Sequence, residues 1–132
     1  LAIEARNGDV VRGMIKGGTA SAVHDVADGG LLVALTEMAM ASGIGAILDA
    51  PPEDLVPHAY WFGEDQARYV VTVPEAHLLT VLSKLKAVDV PCHVIGKTGG
   101  DAITIEGETP VSIASLKAAF ENWLPDYMAG KA

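Results

Sequence analysis

The densest group of chemically active side chains lies in the stretch SAVHDVADGG. His24, Asp25 and Asp28 stand there directly before Gly29 and Gly30, and a long apolar stretch follows. A helix that begins after such a turn presents unpaired backbone N–H groups at its start. These donors and the helix dipole attract anions, and glycines let a phosphate approach the backbone closely. The stretch therefore predicts a turn that binds a phosphate group.

The two carboxylates restrict what this turn can bind. Asp25 and Asp28 would repel a bare phosphate, but they fit one if Mg²⁺ bridges them to it. They also fit if they accept hydrogen bonds from ligand hydroxyl or amide groups. His24 can donate to a phosphate oxygen or act as an acid or base. The two aspartates are thus candidate metal ligands, and no residue is assigned as catalytic.

A purely structural interpretation competes with this one. Asp28 is well placed as a helix N-cap, worth about 1 kcal/mol, and the two glycines can serve only the tight turn. Asp25 can close an Asx-type turn. Short glycine-containing motifs often match by chance, so spacing alone favours capping.

Hydrophobic spacing predicts the elements around the stretch. A helix around Asp9 to Lys16 stops at Gly17-Gly18, a strand covers TASAVHDV, and a second helix runs from Leu31 to Ser42. Further strands are predicted in IGAILDAPPEDL, ARYVVTV, CHVIGK and AITIE, the last two arranged like a hairpin around TGGD; further helices begin at Pro74 and at Ser112 or Ser115, and Pro125 ends the last one.

This order lacks repeated βαβ units and predicts an α+β fold. We expect a two-layer sandwich with a mixed or antiparallel sheet and helices packed on one face. Residues 1–132 are expected to form a single domain, because no repeat or linker appears and the length suffices for a core. Since the chain begins with Leu1 instead of methionine, we interpret it as part of a longer protein.

Composition excludes several classes of partner. The formal charge of −8 comes from 17 acidic and 9 basic residues without a basic cluster, which argues against nucleic-acid or anionic-membrane binding. No apolar run reaches the roughly 18 residues of a transmembrane helix. The single cysteine, Cys92, suits a reducing, cytoplasmic location and is interpreted as a thiol in the core.

A second polar group precedes the ARYVVTV strand. Glu64, Gln66 and Arg68 form a candidate polar cluster there. A solvated loop in which Arg68 makes an ion pair explains the same residues at least as well.

Three segments resemble one enzyme family. HDVADGGLLVALTEMA is similar to the motif His-Asp-Val-Ser-Asp-Gly-Gly-Leu of the C-terminal domain of phosphoribosylformylglycinamidine synthases, which belong to the AIR-synthase-like family. FGEDQARYVVTV is similar to the family's Phe-Gly-Glu-x-x-x-Arg pattern, and LKAAFENWLPDYM resembles its closing helix. The matches run in the family's order from Ser21 to Met128.

The resemblance implies an ATP-dependent C–N ligase of purine biosynthesis, which amidates formylglycinamide ribonucleotide and uses ATP and Mg²⁺. Its implied partners are the N-terminal domains of the same enzyme and a glutaminase that supplies ammonia, so the isolated chain is expected to be inactive. His24, Asp25, Asp28, Gly29 and Gly30 would line the ligand cleft.

One position departs from the family pattern, because Ala27 replaces the usual serine. If that hydroxyl contacts ligand, this copy binds more weakly or serves the auxiliary cleft of the duplicated enzyme; which cleft it serves stays open. Two alternatives also remain, namely another AIR-synthase-like ATP-dependent enzyme and a non-catalytic association domain. The fragment is also a candidate for self-association.

Overall fold

A computed structural model describes residues 2–131 and contains both helices and short strands. None of the helices within this part of the chain is long and apolar enough to cross a membrane. The helices are α1 (Ala2–Lys16), α2 (Gly30–Ser42), α3 (Pro57–Phe62), α4 (Leu78–Ala87) and α5 (Ile113–Met128), and a 3-10 turn over Glu75–His77 precedes α4. The strands are β1 (Ala22–Asp25), β2 (Ala46–Leu48), β3 (Tyr69–Thr72), β4 (Gly96–Thr98), β5 (Ala102–Ile105) and β6 (Val111–Ser112).

The chain divides into two compact units. Unit 1 comprises Leu1–Leu35 with Pro51–Val94, and unit 2 comprises Thr36–Ala50 with Ile95–Ala132. Each unit has its own sheet, one antiparallel and one mixed. The predicted α+β class with mixed and antiparallel strands is confirmed. The strands are divided between two separate sheets.

Unit 1 contains the two-stranded sheet. β1 and β3 pair antiparallel, with Ala22 opposite Thr72 and Asp25 opposite Tyr69. The β-branched residues of both strands favour this extended pairing. The buried apolar side chains of unit 1 come from the chain after β1 and from α2, α3, β3 and α4: Val26, Leu31, Ala34, Leu35, Trp61, Val70, Val81 and Leu85.

Unit 2 contains a four-stranded sheet in the order β4-β2-β5-β6. The hairpin predicted for CHVIGK and AITIE is wrong, because β2 lies between β4 and β5. β2 pairs antiparallel with β4 and parallel with β5. Gly45 makes this insertion feasible. Its amide donates to Gly100 O at 2.9 Å and its carbonyl accepts from Gly99 N at 2.8 Å, whereas a Cβ there would overlap the Ala102 carbonyl.

The last helix continues beyond the residue predicted to end it. Pro125 lies inside α5, and the helix reaches Met128. Trp123 and Tyr127 are one turn apart on either side of the proline, and their rings stack with centroids 5.6 Å apart and planes 8° from parallel. The helix continues through Pro125 although the proline has no backbone N–H to donate. The stacking of the two rings favours this continuation.

The region around Cys92 also differs from the sequence prediction. The strand predicted over CHVIGK begins only at Gly96, and Cys92 is exposed instead of buried in a core. Partial burial nevertheless raises the pKa of the Cys92 thiol above its ordinary value. The thiol is therefore less ionised at neutral pH than a fully solvated cysteine.

Candidate functional site

The end of β1 places the first two candidate residues. His24 and Asp25 are neighbours at the end of this strand. The His24 ring folds back on the backbone, with Nδ1 2.6 Å from Asp25 O and 3.6 Å from Asp25 Oδ1. The side chain of Asp25 is 69% exposed and thus open to a ligand.

The start of α2 is capped from a distant part of the chain. The Gly29 amide donates to Glu64 Oε1 at 2.9 Å, and the Gly30 amide donates to Ala27 O at 3.2 Å. Asp28 makes no side-chain hydrogen bond within residues 2–131, so it is not the cap that its position suggests. The amides of both glycines thus already have partners in unit 1.

Steric limits also explain why both of these positions are glycines. Gly29 and Gly30 have φ values of 83° and 79°, in the left-handed region where a side chain is unfavourable. A Cβ on Gly30 would lie 2.6 Å from the backbone carbon of Phe62, and one on Gly29 would lie 2.7 Å from Val33 Cγ2. Close packing of the chain therefore explains these glycines without a bound phosphate.

Arg68 organises the segment between α3 and β3. Its Nη1 donates to Gly63 O at 3.4 Å and to Asp65 Oδ2 at 3.3 Å. The ion-pair interpretation of Arg68 is therefore confirmed. Asp65, which the sequence interpretation did not single out, is its acidic partner.

One depression of about 320 Å³ in unit 1 joins the two predicted groups. Asp25 at the end of β1, Asp28 in the following loop and all three members of the candidate polar cluster line it. His24, Gly29 and Gly30 are not among its lining residues. The lining residues are Glu4, Asp25, Val26, Ala27, Asp28, Glu64, Asp65, Gln66, Ala67, Arg68 and Tyr69.

The depression is strongly acidic. Five of its lining side chains are carboxylates, and Arg68 is its single basic residue. A negative field of this kind concentrates cations and opposes free phosphate. Within the described residues 2–131, no group of three or more His, Cys, Asp or Glu side chains is arranged to hold a metal ion by itself.

Sequence reasoning also missed a residue of α1 that supports this region. Asn7 Nδ2 in α1 donates to Ala67 O at 3.0 Å, across 60 residues of sequence. Ala67 has a φ of 65°, an unfavourable value for a residue with a side chain. An asparagine in an amphipathic helix gives no local signal of this contact, so only the fold reveals it.

Comparisons with known proteins show the family of the chain. Residues 3–107 match the family described as AIR synthase related protein, C-terminal domain. The chain belongs to this family. The match covers the loop after β1, the depression and both sheets up to the end of β5, and it excludes α5.

Relatives within the AIR synthase related family are longer proteins. The chain is 69% identical over 131 residues to the phosphoribosylformylglycinamidine synthase subunit PurL of Nitrobacter hamburgensis and 70% identical to that of Nitrobacter winogradskyi. Each alignment covers 99% of this chain and 18% of the relative. The chain therefore spans about a fifth of the length of the curated relatives that it matches.

Solved structures confirm the fold of this family. The structure of PurLQS from Thermotoga maritima matches with a TM-score of 0.75 and 18% identity, covering 86% of this chain and 21% of that one. T. maritima PurL complexed with FGAR matches with a TM-score of 0.73 and 18% identity over 86% of this chain and 20% of that one. T. maritima PurL complexed with ATP gives 0.71 and 17% over 84% and 21%. At such identities, the likeness shows the shared fold.

Proposed function

We propose that residues 1–132 are the C-terminal domain of a phosphoribosylformylglycinamidine synthase, an ATP-dependent C–N ligase of purine biosynthesis. The observation that carries this proposal is the 69% identity to a PurL subunit over nearly the whole chain. The T. maritima relatives complexed with ATP and with FGAR support ATP and formylglycinamide ribonucleotide as ligands of the longer enzyme.

The proposed reaction converts formylglycinamide ribonucleotide, ATP and ammonia into formylglycinamidine ribonucleotide, ADP and phosphate. Phosphorylation of the amide oxygen turns it into a leaving group, and ammonia then displaces it. Such chemistry depends on positioning the reactants and on neutralising phosphate charge. In this proposal, the domain supplies one wall of a ligand cleft through Asp25, Asp28 and the depression beside them.

Mg²⁺ suits the residues of this depression. Carboxylate oxygens are the donors that Mg²⁺ prefers, and one or two of them suffice when phosphate oxygens and water complete its coordination. Asp25 and Asp28 are the residues that we propose to hold it. The bound ion would neutralise phosphate charge, which matters because this acidic surface would otherwise repel a nucleotide.

Ala27 lies in the lining of the depression, at the position where the family motif has serine. We infer that a serine hydroxyl there would be available to a ligand and that this chain lacks that hydrogen bond. Binding at this loop is then weaker than in copies that have the serine. Service of the auxiliary nucleotide cleft, where no reaction needs this hydroxyl, is the alternative explanation of the change.

We propose that the remaining domains of the longer enzyme and a glutaminase that supplies ammonia are its partners, in the cytoplasm. The exposed apolar side chains of α5 support an association surface, because large patches of this kind mark interfaces. They are Phe120, Trp123, Leu124, Tyr127 and Met128. The same surface makes the isolated fragment prone to self-association.

Ligand binding by the full-length enzyme tests the proposed function. We expect Asp25→Asn combined with Asp28→Asn to weaken MgADP binding at one nucleotide site at least tenfold, by isothermal titration calorimetry. Amidine formation by the isolated 132-residue chain should be absent. Turnover by that chain alone, or unchanged MgADP affinity in the double variant, would contradict the proposal.

A further inference from the structure

The loop that carries the two candidate aspartates is held by a carboxylate from another segment. Glu64 Oε1 accepts a hydrogen bond from the Gly29 amide at 2.9 Å, across 35 residues of sequence. Gly29 has a positive φ. Because glycine has no Cβ, its backbone can adopt more conformations than that of any other residue type. A fixed acceptor at this amide therefore restricts a residue of the loop whose backbone could otherwise adopt several conformations.

Two further contacts join the same segments. The Val26 amide donates to Arg68 O at 2.9 Å, at the other end of the loop. Next to Gly29, the backbone of Gly30 lies so close to Phe62 that a Cβ on Gly30 would be 2.6 Å from the carbonyl carbon of Phe62. The residues from 26 to 30 are thus held at both ends by the residues from 62 to 68.

The segment that delivers Glu64 is itself anchored. Arg68 binds Gly63 O and the Asp65 carboxylate, which closes the segment into a compact turn. The Asn7 side chain holds Ala67 O from α1. The backbone on both sides of Glu64 is therefore held in place. A residue that positions another part of the chain needs such a rigid attachment.

We propose that Glu64 is a positioning residue that holds the loop from Asp25 to Gly30 in the conformation that presents Asp25 and Asp28. The ligand role of that loop rests on the proposed function, whereas its geometry does not. Glu64 acts through the reach and the acceptor oxygen of its side chain. Its negative charge is secondary, because the Gly29 amide needs an acceptor and a neutral oxygen supplies one.

Two conservative variants of the full-length enzyme separate reach from charge. Glu64→Gln keeps the length and an acceptor oxygen but removes the charge, whereas Glu64→Asp keeps the charge and is one methylene too short. Glu53→Ala serves as the matched control, because Glu53 is an exposed carboxylate of unit 1 without a side-chain hydrogen bond or ion pair within residues 2–131.

Hydrogen–deuterium exchange of peptides covering residues 26–33, measured without ligand, reports how often the loop opens. We expect Glu64→Asp to raise exchange there by about three- to tenfold, the factor for the loss of one hydrogen bond of ordinary strength. Glu64→Gln should stay within about threefold of the parent enzyme. The control should match the parent, and peptides from β5 should be unchanged in all variants.

The MgADP affinity of the same enzyme variants tests whether this loop takes part in nucleotide binding. We expect Glu64→Asp to weaken it about three- to tenfold, because the competent loop conformation is less populated, and Glu64→Gln to retain it. Unchanged exchange in Glu64→Asp, or equal damage in Glu64→Gln, would overturn the positioning role. Raised exchange with unchanged MgADP affinity would support positioning by Glu64 and refute the nucleotide role of the loop.

Discussion

Helices α2 and α5 begin in different ways. At α5, Ser112 is in an extended conformation, and its hydroxyl accepts a hydrogen bond from the Ser115 amide at 3.1 Å. At α2, the Gly29 amide before the helix donates to Glu64, which is 35 residues away. The first cap is formed within one helical turn, whereas the second exists only once two separate segments have come together.

The difference in range has a functional meaning. A local cap stabilises its own helix and needs nothing else to be folded. A remote cap makes the conformation of one loop depend on another, which suits a loop whose side chains must meet a ligand in a set geometry. The three predictions that follow test this contrast, beginning with the largest expected change in stability.

Gly30→Ala should cause the greatest loss of stability. The new Cβ would lie 2.6 Å from the Phe62 backbone, and the residue would keep a φ near 79°. Overpacking and left-handed strain together should lower the free energy of unfolding by about 3 kcal/mol. Urea unfolding of the chain, followed by circular dichroism, measures this.

The matched control for that variant is Gly100→Ala. Gly100 also has positive φ, 69°, but a Cβ there would meet nothing within 4 Å. Only the backbone strain remains, so the loss should be about 1 kcal/mol. Equal losses at the two positions would show that the approach of Gly30 to Phe62 carries no energetic weight.

Ser112→Ala removes the local cap of α5. The expected loss is about 1 kcal/mol, as for other serine caps, and thermal unfolding monitored by circular dichroism measures it. Because the cap is local, amide exchange in residues 26–33 should not change. Faster exchange there would contradict the distinction between local and remote capping.

Asp28→Ala should have the smallest effect on stability. Asp28 makes no side-chain hydrogen bond within residues 2–131, so only its favourable charge near the start of α2 is lost, about 0.5 kcal/mol. In the full-length enzyme, the same change should weaken MgADP binding more than this loss of stability explains. A melting temperature that falls with unchanged MgADP affinity would return Asp28 to a structural role.

What the sequence predicted well depends on signals within a few residues. The strand before Asp25, the helix from Leu31 to Ser42 and the serine cap of α5 all follow from periodicity and neighbouring residues. The sequence left Ser112 and Ser115 as alternative caps, and Ser112 is the one that caps α5. These elements needed no information from distant parts of the chain.

The missed features all depend on residues far apart in sequence. Glu64 replaces Asp28 as the partner of the α2 start, and Asn7 supports Ala67 from another element. The insertion of β2 between β4 and β5 separates two strands that a short glycine turn joins. Such contacts form only when loops close, and a pattern read within one window cannot contain them.

The two tryptophans give each unit its own optical reporter. Trp61 belongs to unit 1 and is 6% exposed, whereas Trp123 belongs to unit 2 and is 63% exposed. Acrylamide should quench the fluorescence of Trp123 and leave that of Trp61 largely intact. Replacing either indole with phenylalanine would therefore let the melting of one unit be followed without a signal from the other.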